Sequence, residues 1–242
     1  MAVEPVEIGR SARVNVIEEL ARLGYRPPSL DFSLRIETFA ATLALWGSKL
    51  NLTSVPDDPR EIAFHIIDSL APMILAQAAE GETSIAKVAL AGAFELGTRV
   101  LDLGSGAGFP ALILAAAYAG DASPHFTLLE ARRKRASFLS VAAAEMGLTN
   151  VRVDSSRTDS MALEPVFDLV TARAFAEPAI VYRTAAAAIK SGGRAILYAS
   201  PAQRSVIEQA GGPDFEPPTF FHYELPRGET RVAHLLAVSK RR

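Results

Sequence analysis

The stretch Val100-Leu101-Asp102-Leu103-Gly104-Ser105-Gly106-Ala107-Gly108-Phe109-Pro110 decides the fold. Its first residues are mostly apolar and predict a short buried strand, and Pro110 is typical of the first turn of a helix. The three glycines between them allow positive φ and let a ligand approach the backbone closely. A strand, a glycine turn and a helix in this order predict a ligand site on a parallel sheet.

Two acidic residues indicate which ligand the loop binds. Phe109 stands where a dinucleotide fingerprint has its third glycine, and Asp102 would repel a pyrophosphate. A carboxylate at position 102 suits the ammonium group of S-adenosylmethionine, directly or through water. Glu130 ends the next predicted strand, 22 residues after Gly108, where a carboxylate can accept hydrogen bonds from both ribose hydroxyls. The alternatives are an ordinary strand–helix turn for the glycines and a solvated strand end for Glu130.

From residue 99 onward the pattern alternates between strands and helices, which predicts an α/β fold. We expect a Rossmann-like class I methyltransferase with a seven-stranded mixed sheet, helices on both faces and an antiparallel edge. The predicted strands are 99–103, 125–130, 151–154, 167–172, 194–199, 220–224 and 232–239, and the helices are 109–119, 132–146 and 177–190.

The first 80 residues show helical periodicity instead. The predicted helices are 11–24, a second from Asp31 or Ser33 to Gly47, and a third from Asp57-Asp58-Pro59 to about residue 79. This predicts three parts: an N-terminal helical cap (1–80), a linker or insertion (81–98) and a methyltransferase domain (99–242). The N-terminal helical cap would narrow the cleft at the carboxyl ends of the strands.

Composition limits the possible functions. The chain has 242 residues, is 49% hydrophobic and carries a net charge of −2, so any contact with nucleic acid must use local basic patches. The absence of cysteine excludes disulfides, thiolate metal sites and a cysteine nucleophile. We see no signal peptide and no apolar run long enough to span a bilayer. We therefore expect a cytoplasmic protein without a membrane partner or a bound metal.

The sequence also narrows the methyl acceptor. Methylation of pyrimidine carbon 5 needs a thiolate, which this chain lacks. Many enzymes that methylate exocyclic amines have Asn/Asp-Pro-Pro-aromatic after the fourth strand, but here residues 171–176 read Thr-Ala-Arg-Ala-Phe-Ala. A ring nitrogen such as guanine nitrogen 7 has a free lone pair and no proton to lose. For such an acceptor, positioning and desolvation would be enough.

These motifs together resemble the bacterial small-subunit rRNA guanine-N7 methyltransferase G family, also called the glucose-inhibited division protein B family. The resemblance spans roughly residues 45–199. It is carried by Trp46 with Asn51-Leu52-Thr53-Ser54, His65-Ile66-Ile67-Asp68-Ser69-Leu70, the loop 102–110, Leu128-Leu129-Glu130 with Lys134-Arg135 and Phe138-Leu139, Arg157, and Arg173-Ala174-Phe175-Ala176.

The resemblance implies methyl transfer to nitrogen 7 of one guanine in the decoding-region hairpin of 16S rRNA, with 16S rRNA or the small ribosomal subunit as partner of a monomer. It implies that Arg173, His65 and Asp68 lie at the catalytic cleft, where Arg173 could stack on guanine or hold a phosphate. The predicted cofactor-binding residues are Asp102, Gly104, Gly106, Gly108, Phe109, Glu130, Thr158, Asp159 and Arg173.

Several alternatives stay open at this point. His65 and Asp68 also suit a helix-packing pair, and Arg173 suits a strand-end salt bridge. The basic run 132–135 and the C-terminal Lys240-Arg241-Arg242 would contact RNA phosphates, or form a solvated face and a frayed end. The chain departs from the family with Leu197-Tyr198-Ala199-Ser200 in place of Lys-Gly, with Phe64 in place of Arg, and with a longer segment 86–97. These losses suit a methyltransferase for a small-molecule or protein acceptor, or a cofactor-binding RNA-assembly factor without catalysis.

Overall fold

The structure of the chain is a computed structural model. It describes residues 3–77, 94, 97–120, 123–156, 163–210, 213–225 and 231–241. Thr158 and Asp159, most of the predicted linker and Arg242 lie outside the described residues. The division into a cap, a linker and a methyltransferase domain therefore stays a prediction.

Helices occupy the N-terminal part of the chain, at α1 (Pro5–Arg22), α2 (Leu30–Leu50), α3 (Pro59–Ser69) and α4 (Ala71–Gln77). Local capping explains their bounds. The Ser29 hydroxyl accepts the Phe32 N–H at 2.9 Å and starts α2, and the Asp58 carboxylate accepts the Arg60 N–H at 2.8 Å and starts α3. The prediction that the first helix starts at residue 11 is wrong, because Pro5 already provides a preorganised first turn.

The sheet has the strands β1 (Arg99–Leu103), β2 (His125–Leu129), β3 (Val151–Asp154), β4 (Phe167–Arg173), β5 (Ile189–Ala199), β6 (Thr219–Leu225) and β7 (Arg231–Ser239). Its order is β3-β2-β1-β4-β5-β7-β6. The first five strands in this order pair in parallel, while β7 pairs antiparallel with both β5 and β6. The parallel main sheet thus holds five strands, and the antiparallel pair of β7 and β6 extends it at one edge. The predicted α/β class with a parallel sheet is confirmed.

The connecting helices are α5 (Ala111–Ala117), α6 (Arg133–Glu145), α7 (Pro178–Ala188) and α8 (Arg204–Ala210). Side chains alternate along a strand, so one face of the sheet buries Val100 with α1, α2, α3, α5 and α6, and the other buries Leu101 and Leu103 with α7 and α8. The sequence did not predict α8, because Ile207 is its only buried residue and leaves no apolar periodicity.

No helix in the described part of the chain is long and apolar enough to cross a membrane. Within the same residues, no cluster of His, Asp or Glu has the arrangement of a metal site. The carboxyl ends of β1, β2 and β4 meet at one edge of the sheet, where Asp102 lies near the end of β1, Glu130 follows β2 and Arg173 ends β4.

Candidate cofactor and acceptor site

The glycine loop leaves β1 in a conformation that glycine favours. Gly104, Gly106 and Gly108 have φ values of +69°, +54° and +91°. The N–H groups of Gly104 and Ser105 both donate to the carbonyl of Leu129, at 2.9 and 3.1 Å, and so fix the loop to the end of β2. A Cβ atom on Gly104 would lie 2.6 Å from the ring of Phe175, so that ring packs directly on the loop backbone.

Asp102 lies near the end of β1, just before the glycine loop, and is buried, with 1% of its surface exposed. Its Oδ1 accepts a hydrogen bond from the Thr171 hydroxyl at 2.6 Å, whereas Oδ2 is buried without a hydrogen-bond partner among the described residues. Burial raises the pKa of Asp102 to about 6, against lowering by the neighbouring hydroxyls and Arg173. A buried carboxylate oxygen without a donor is costly, which points to a cationic or hydrogen-bonding ligand. The ammonium group of S-adenosylmethionine fits that requirement.

Glu130, at the end of β2, is also buried. Its carboxylate accepts the Gly106 N–H at 3.0 Å and the Arg132 N–H at 2.8 Å. Glu130 therefore organises the glycine loop as well as the strand end, a role that its position in the sequence did not indicate. A carboxylate has about four lone-pair positions, so both oxygens keep capacity for further donors such as ribose hydroxyls.

Two clefts meet at the loop that follows β4. The first has a volume of about 760 Å³ and is lined by Gly104, Glu130, Ser156 and Arg183 among others. The second has a volume of about 430 Å³. Both are lined by Ala174 and Phe175, and Ala174 has the left-handed φ of +52° that is unusual for a residue with a Cβ. One cleft beside the glycine loop and an adjoining one suit a cofactor and an acceptor, respectively.

The second cleft contains the three predicted catalytic residues together. Nε of Arg173 lies 3.2 Å from Oδ2 of Asp68, and its Nη2 lies 2.7 Å from Nδ1 of His65. The guanidinium carbon also lies 5.6 Å from the centre of the Phe109 ring. These side chains form one network from α3 and β4, so Arg173 enters the cleft as a fixed cation.

Two tyrosines that sequence reasoning did not select complete this cleft. The Tyr223 hydroxyl donates to Oδ1 of Asp68 at 2.5 Å, and the Tyr198 hydroxyl donates to the carbonyl of Ser69 at 2.8 Å. Burial, and then the Asp68 carboxylate, raise the pKa of both phenols above the ordinary value, so both stay protonated. An aromatic residue in a predicted strand is typical of a core position, so the sequence carried no signal for this role.

Other predicted residues have different surroundings. Phe109 packs edge-on against Phe39 at a ring distance of 5.3 Å, and it does not line either cleft. Its role as a cofactor contact stays a prediction, as do those of Gly106 and Gly108. Lys240 is neither frayed nor a phosphate contact, because its ammonium donates to the carbonyls of Ala186 and Ile189, both at 2.8 Å.

In the basic run at residues 132–135, one side chain makes a contact within the protein and three are exposed. Arg135 donates to the carbonyl of Asn51 at 2.6 Å and joins α6 to the end of α2. Arg132, Arg133 and Lys134 are exposed and form no ion pair within the described part of the chain. They precede or begin α6, whose first turn has no acidic residue. Cations at this end of a helix oppose its dipole, so helix stability does not explain them.

Comparison with known proteins bears on this geometry. The model of a family described as rRNA small subunit methyltransferase G matches residues 34–211. A ribosomal RNA small subunit methyltransferase G from Streptococcus pyogenes serotype M12 is 28% identical over 214 residues, which are 85% of this chain and 83% of the relative. The protein of that name from Herminiimonas arsenicoxydans is 36% identical over 141 residues, 57% of this chain and 56% of the relative.

A solved structure gives a separate comparison of the fold. A predicted O-methyltransferase from Agrobacterium tumefaciens aligns with a TM-score of 0.51 and 23% identity, over 60% of this chain and 75% of that chain. This likeness supports the Rossmann-like fold alone. The family match confirms the resemblance stated from the sequence, and with it the methyltransferase class and the cofactor S-adenosylmethionine.

Proposed function

Because the chain belongs to the rRNA small subunit methyltransferase G family, we propose that it transfers the methyl group of S-adenosylmethionine to nitrogen 7 of a guanine in 16S rRNA. The observation that carries the proposal is the partnerless Oδ2 atom of Asp102 beside the glycine loop. A carboxylate oxygen buried in that position requires a donor such as the ammonium group of the cofactor. The adjoining cleft around Arg173 then has the place and the charge for an acceptor base.

The cofactor would lie along the first cleft. Asp102 would bind its ammonium group, and Glu130 would accept hydrogen bonds from its ribose hydroxyls with the lone pairs that Gly106 and Arg132 leave free. When bound, the cofactor supplies an electrophilic methyl group on a sulfonium centre. Thr158 and Asp159 are proposed to border the adenine.

The chemistry of nitrogen 7 agrees with the residues in the second cleft. A guanine nitrogen 7 attacks with its own lone pair, so the reaction needs positioning and no general base. Arg173 is proposed to hold the acceptor, by a hydrogen bond to guanine oxygen 6 or by stacking on the base. His65 and Asp68 are proposed to keep Arg173 in place, since each contacts a different nitrogen of its guanidinium.

The exposed cations Arg132, Arg133 and Lys134 support an RNA acceptor. Phosphate contacts dominate the affinity of proteins for nucleic acids, and these three residues border the first cleft through Arg132. The chain has a net charge of −2, so such a local patch is the means by which it would attract RNA. That the protein is a monomer and acts in the cytoplasm stays a prediction from the sequence.

The test is methylation of small ribosomal subunits from cells that lack their own enzyme, with labelled S-adenosylmethionine. The product is mapped by strand cleavage at N7-methylguanine, and Asp102→Asn is assayed in parallel. We expect label at a single guanine of 16S rRNA and none with the variant. Label elsewhere, or bound cofactor without transfer to any ribosomal substrate, would refute the proposed acceptor and favour a small-molecule or protein substrate, or a non-catalytic role.

A further inference from the structure

Tyr223 is the outer member of a chain of polar contacts that ends at Arg173. Its hydroxyl donates to one oxygen of Asp68 at 2.5 Å, and the other oxygen of Asp68 lies 3.2 Å from Nε of Arg173. Arg173 is always a donor, so Nδ1 of His65, 2.7 Å from Nη2, is the acceptor in that contact. Each oxygen of the Asp68 carboxylate therefore has its own partner, one a phenol and the other a guanidinium.

The three residues come from three different elements of the fold. Arg173 ends β4 and Asp68 lies on α3, whereas Tyr223 belongs to β6, the outermost strand, with β5 and β7 between it and β4. The side chain of Asp68 is only 10% exposed, so water cannot readily replace the phenol as its donor. Without that donor, the contact with Arg173 alone would hold the carboxylate, and Asp68 would orient the guanidinium less firmly.

We propose that Tyr223 is a positioning residue for methyl transfer, whose hydroxyl holds the Asp68 carboxylate so that Asp68 orients the guanidinium of Arg173 in the acceptor cleft. This proposal rests on the proposed function of the same cleft. Tyr223 lines that cleft itself, and its neighbour along the cleft wall, Leu225, is apolar. Because the Tyr223 hydroxyl donates its hydrogen bond to Asp68, we expect it to act on Arg173 through that carboxylate.

Tyr223→Phe tests the proposal, because it keeps the ring and removes only the hydroxyl. The matched control is Tyr182→Phe, since the Tyr182 hydroxyl is buried with no hydrogen-bond partner among the residues that the structure describes, and it lies outside both clefts. With small ribosomal subunits as substrate, we expect kcat to fall about tenfold in Tyr223→Phe, the usual scale for a hydrogen bond to a charged group. The Kd for S-adenosylmethionine stays unchanged, and Tyr182→Phe keeps the wild-type kcat.

A second readout does not depend on catalysis. The Nε–H of Arg173 gives a nitrogen-15 NMR signal that can be assigned by its loss in Arg173→Lys. We expect this proton to exchange with water faster in Tyr223→Phe than in the wild type, and at the wild-type rate in Tyr182→Phe. A purely structural role for Tyr223 would lower Tm and leave this exchange rate unchanged.

The outcomes separate the two proposals. If the wild type methylates no ribosomal substrate, the proposed function fails, and the Arg173 signal alone decides whether Tyr223 orients the guanidinium. If kcat falls and the Arg173 proton exchanges faster, the positioning role is supported. An unchanged exchange rate overturns it, and so does a loss of kcat accompanied by an equal loss of cofactor affinity.

Discussion

Replacement of Asp102 by Asn should make the free protein more stable while removing its affinity for the cofactor. Burial raises the pKa of Asp102 from 3.8 to about 6, so the folded chain resists its ionisation. The folded state then binds more protons than the unfolded state between these two values. The free energy of unfolding therefore falls as the pH rises from about 4 to about 6, and the loss is complete above that range.

The magnitude follows from the shift in pKa. A shift of about two units, from 3.8 to about 6, corresponds to roughly 3 kcal/mol at 1.36 kcal/mol per unit. An Asn side chain carries no charge and can still accept the hydrogen bond from Thr171. We therefore expect Asp102→Asn to raise the free energy of unfolding at pH 8 by up to about 3 kcal/mol, and by little at pH 4. This gain applies to the cofactor-free protein.

Urea unfolding at pH 4 and pH 8 measures the stability, and calorimetric titration with S-adenosylmethionine measures the affinity. Asp168→Asn is the control with the opposite sign. Burial raises the pKa of Asp168, but the Arg99 N–H and the Lys190 ammonium lower it further than burial raises it. That variant should lose stability at pH 8. An Asp102→Asn protein that is no more stable than the wild type at pH 8, or that binds the cofactor normally, would refute the reasoning.

Two further predictions concern the loop and the basic patch. Gly104→Ala should lower the free energy of unfolding by about 1–2 kcal/mol, because residue 104 has a left-handed φ. It should also abolish cofactor binding, because the added Cβ would lie 2.6 Å from the Phe175 ring, which packs on the loop. Urea unfolding and calorimetric titration check these effects, and a near-wild-type affinity would contradict the second. Replacing Arg132, Arg133 and Lys134 together by Ala should raise KM for the ribosomal substrate and reduce the log–log salt slope by about 2, or roughly 0.7 per phosphate contact. The cofactor Kd should not change, and the helix should gain stability of about 1 kcal/mol as the dipole repulsion is removed; an unchanged salt dependence would exclude the patch from RNA binding.

The sequence predicted most of the secondary structure, because hydrophobic periodicity and capping depend on residues that are close together along the chain. The strands at 99–103 and 151–154 have the predicted bounds, and capping by Asp58 was recognisable from residue type and spacing. Errors occur where the local signal is weak. Helix α8 buries a single residue, and β5 begins at Ile189 where the glycines at 192 and 193 predicted a helix end.

In the candidate site, too, some residues were predicted from local sequence patterns and others were not. Asp102 and Glu130 were identifiable because a carboxylate at each strand end, around a glycine loop, leaves few chemical interpretations. His65, Asp68 and Arg173 came from a family resemblance, and the structure brings Arg173 within hydrogen-bonding distance of both His65 and Asp68. The strand-end salt bridge is present as the contact between Arg173 and Asp68, whereas a helix-packing pair of His65 and Asp68 stays a prediction.

By itself the sequence determined the class of fold, the cofactor loop and the family, since each depends on residues that are neighbours along the chain. The tertiary structure alone decided which side chains meet across elements. It places Tyr223 against Asp68, 155 positions apart, and it uses Lys240 and Arg135 to bind backbone carbonyls while leaving three other cations exposed. Such contacts depend on the packing of distant elements, and the free energy of burying a polar group depends on the partner that packing provides.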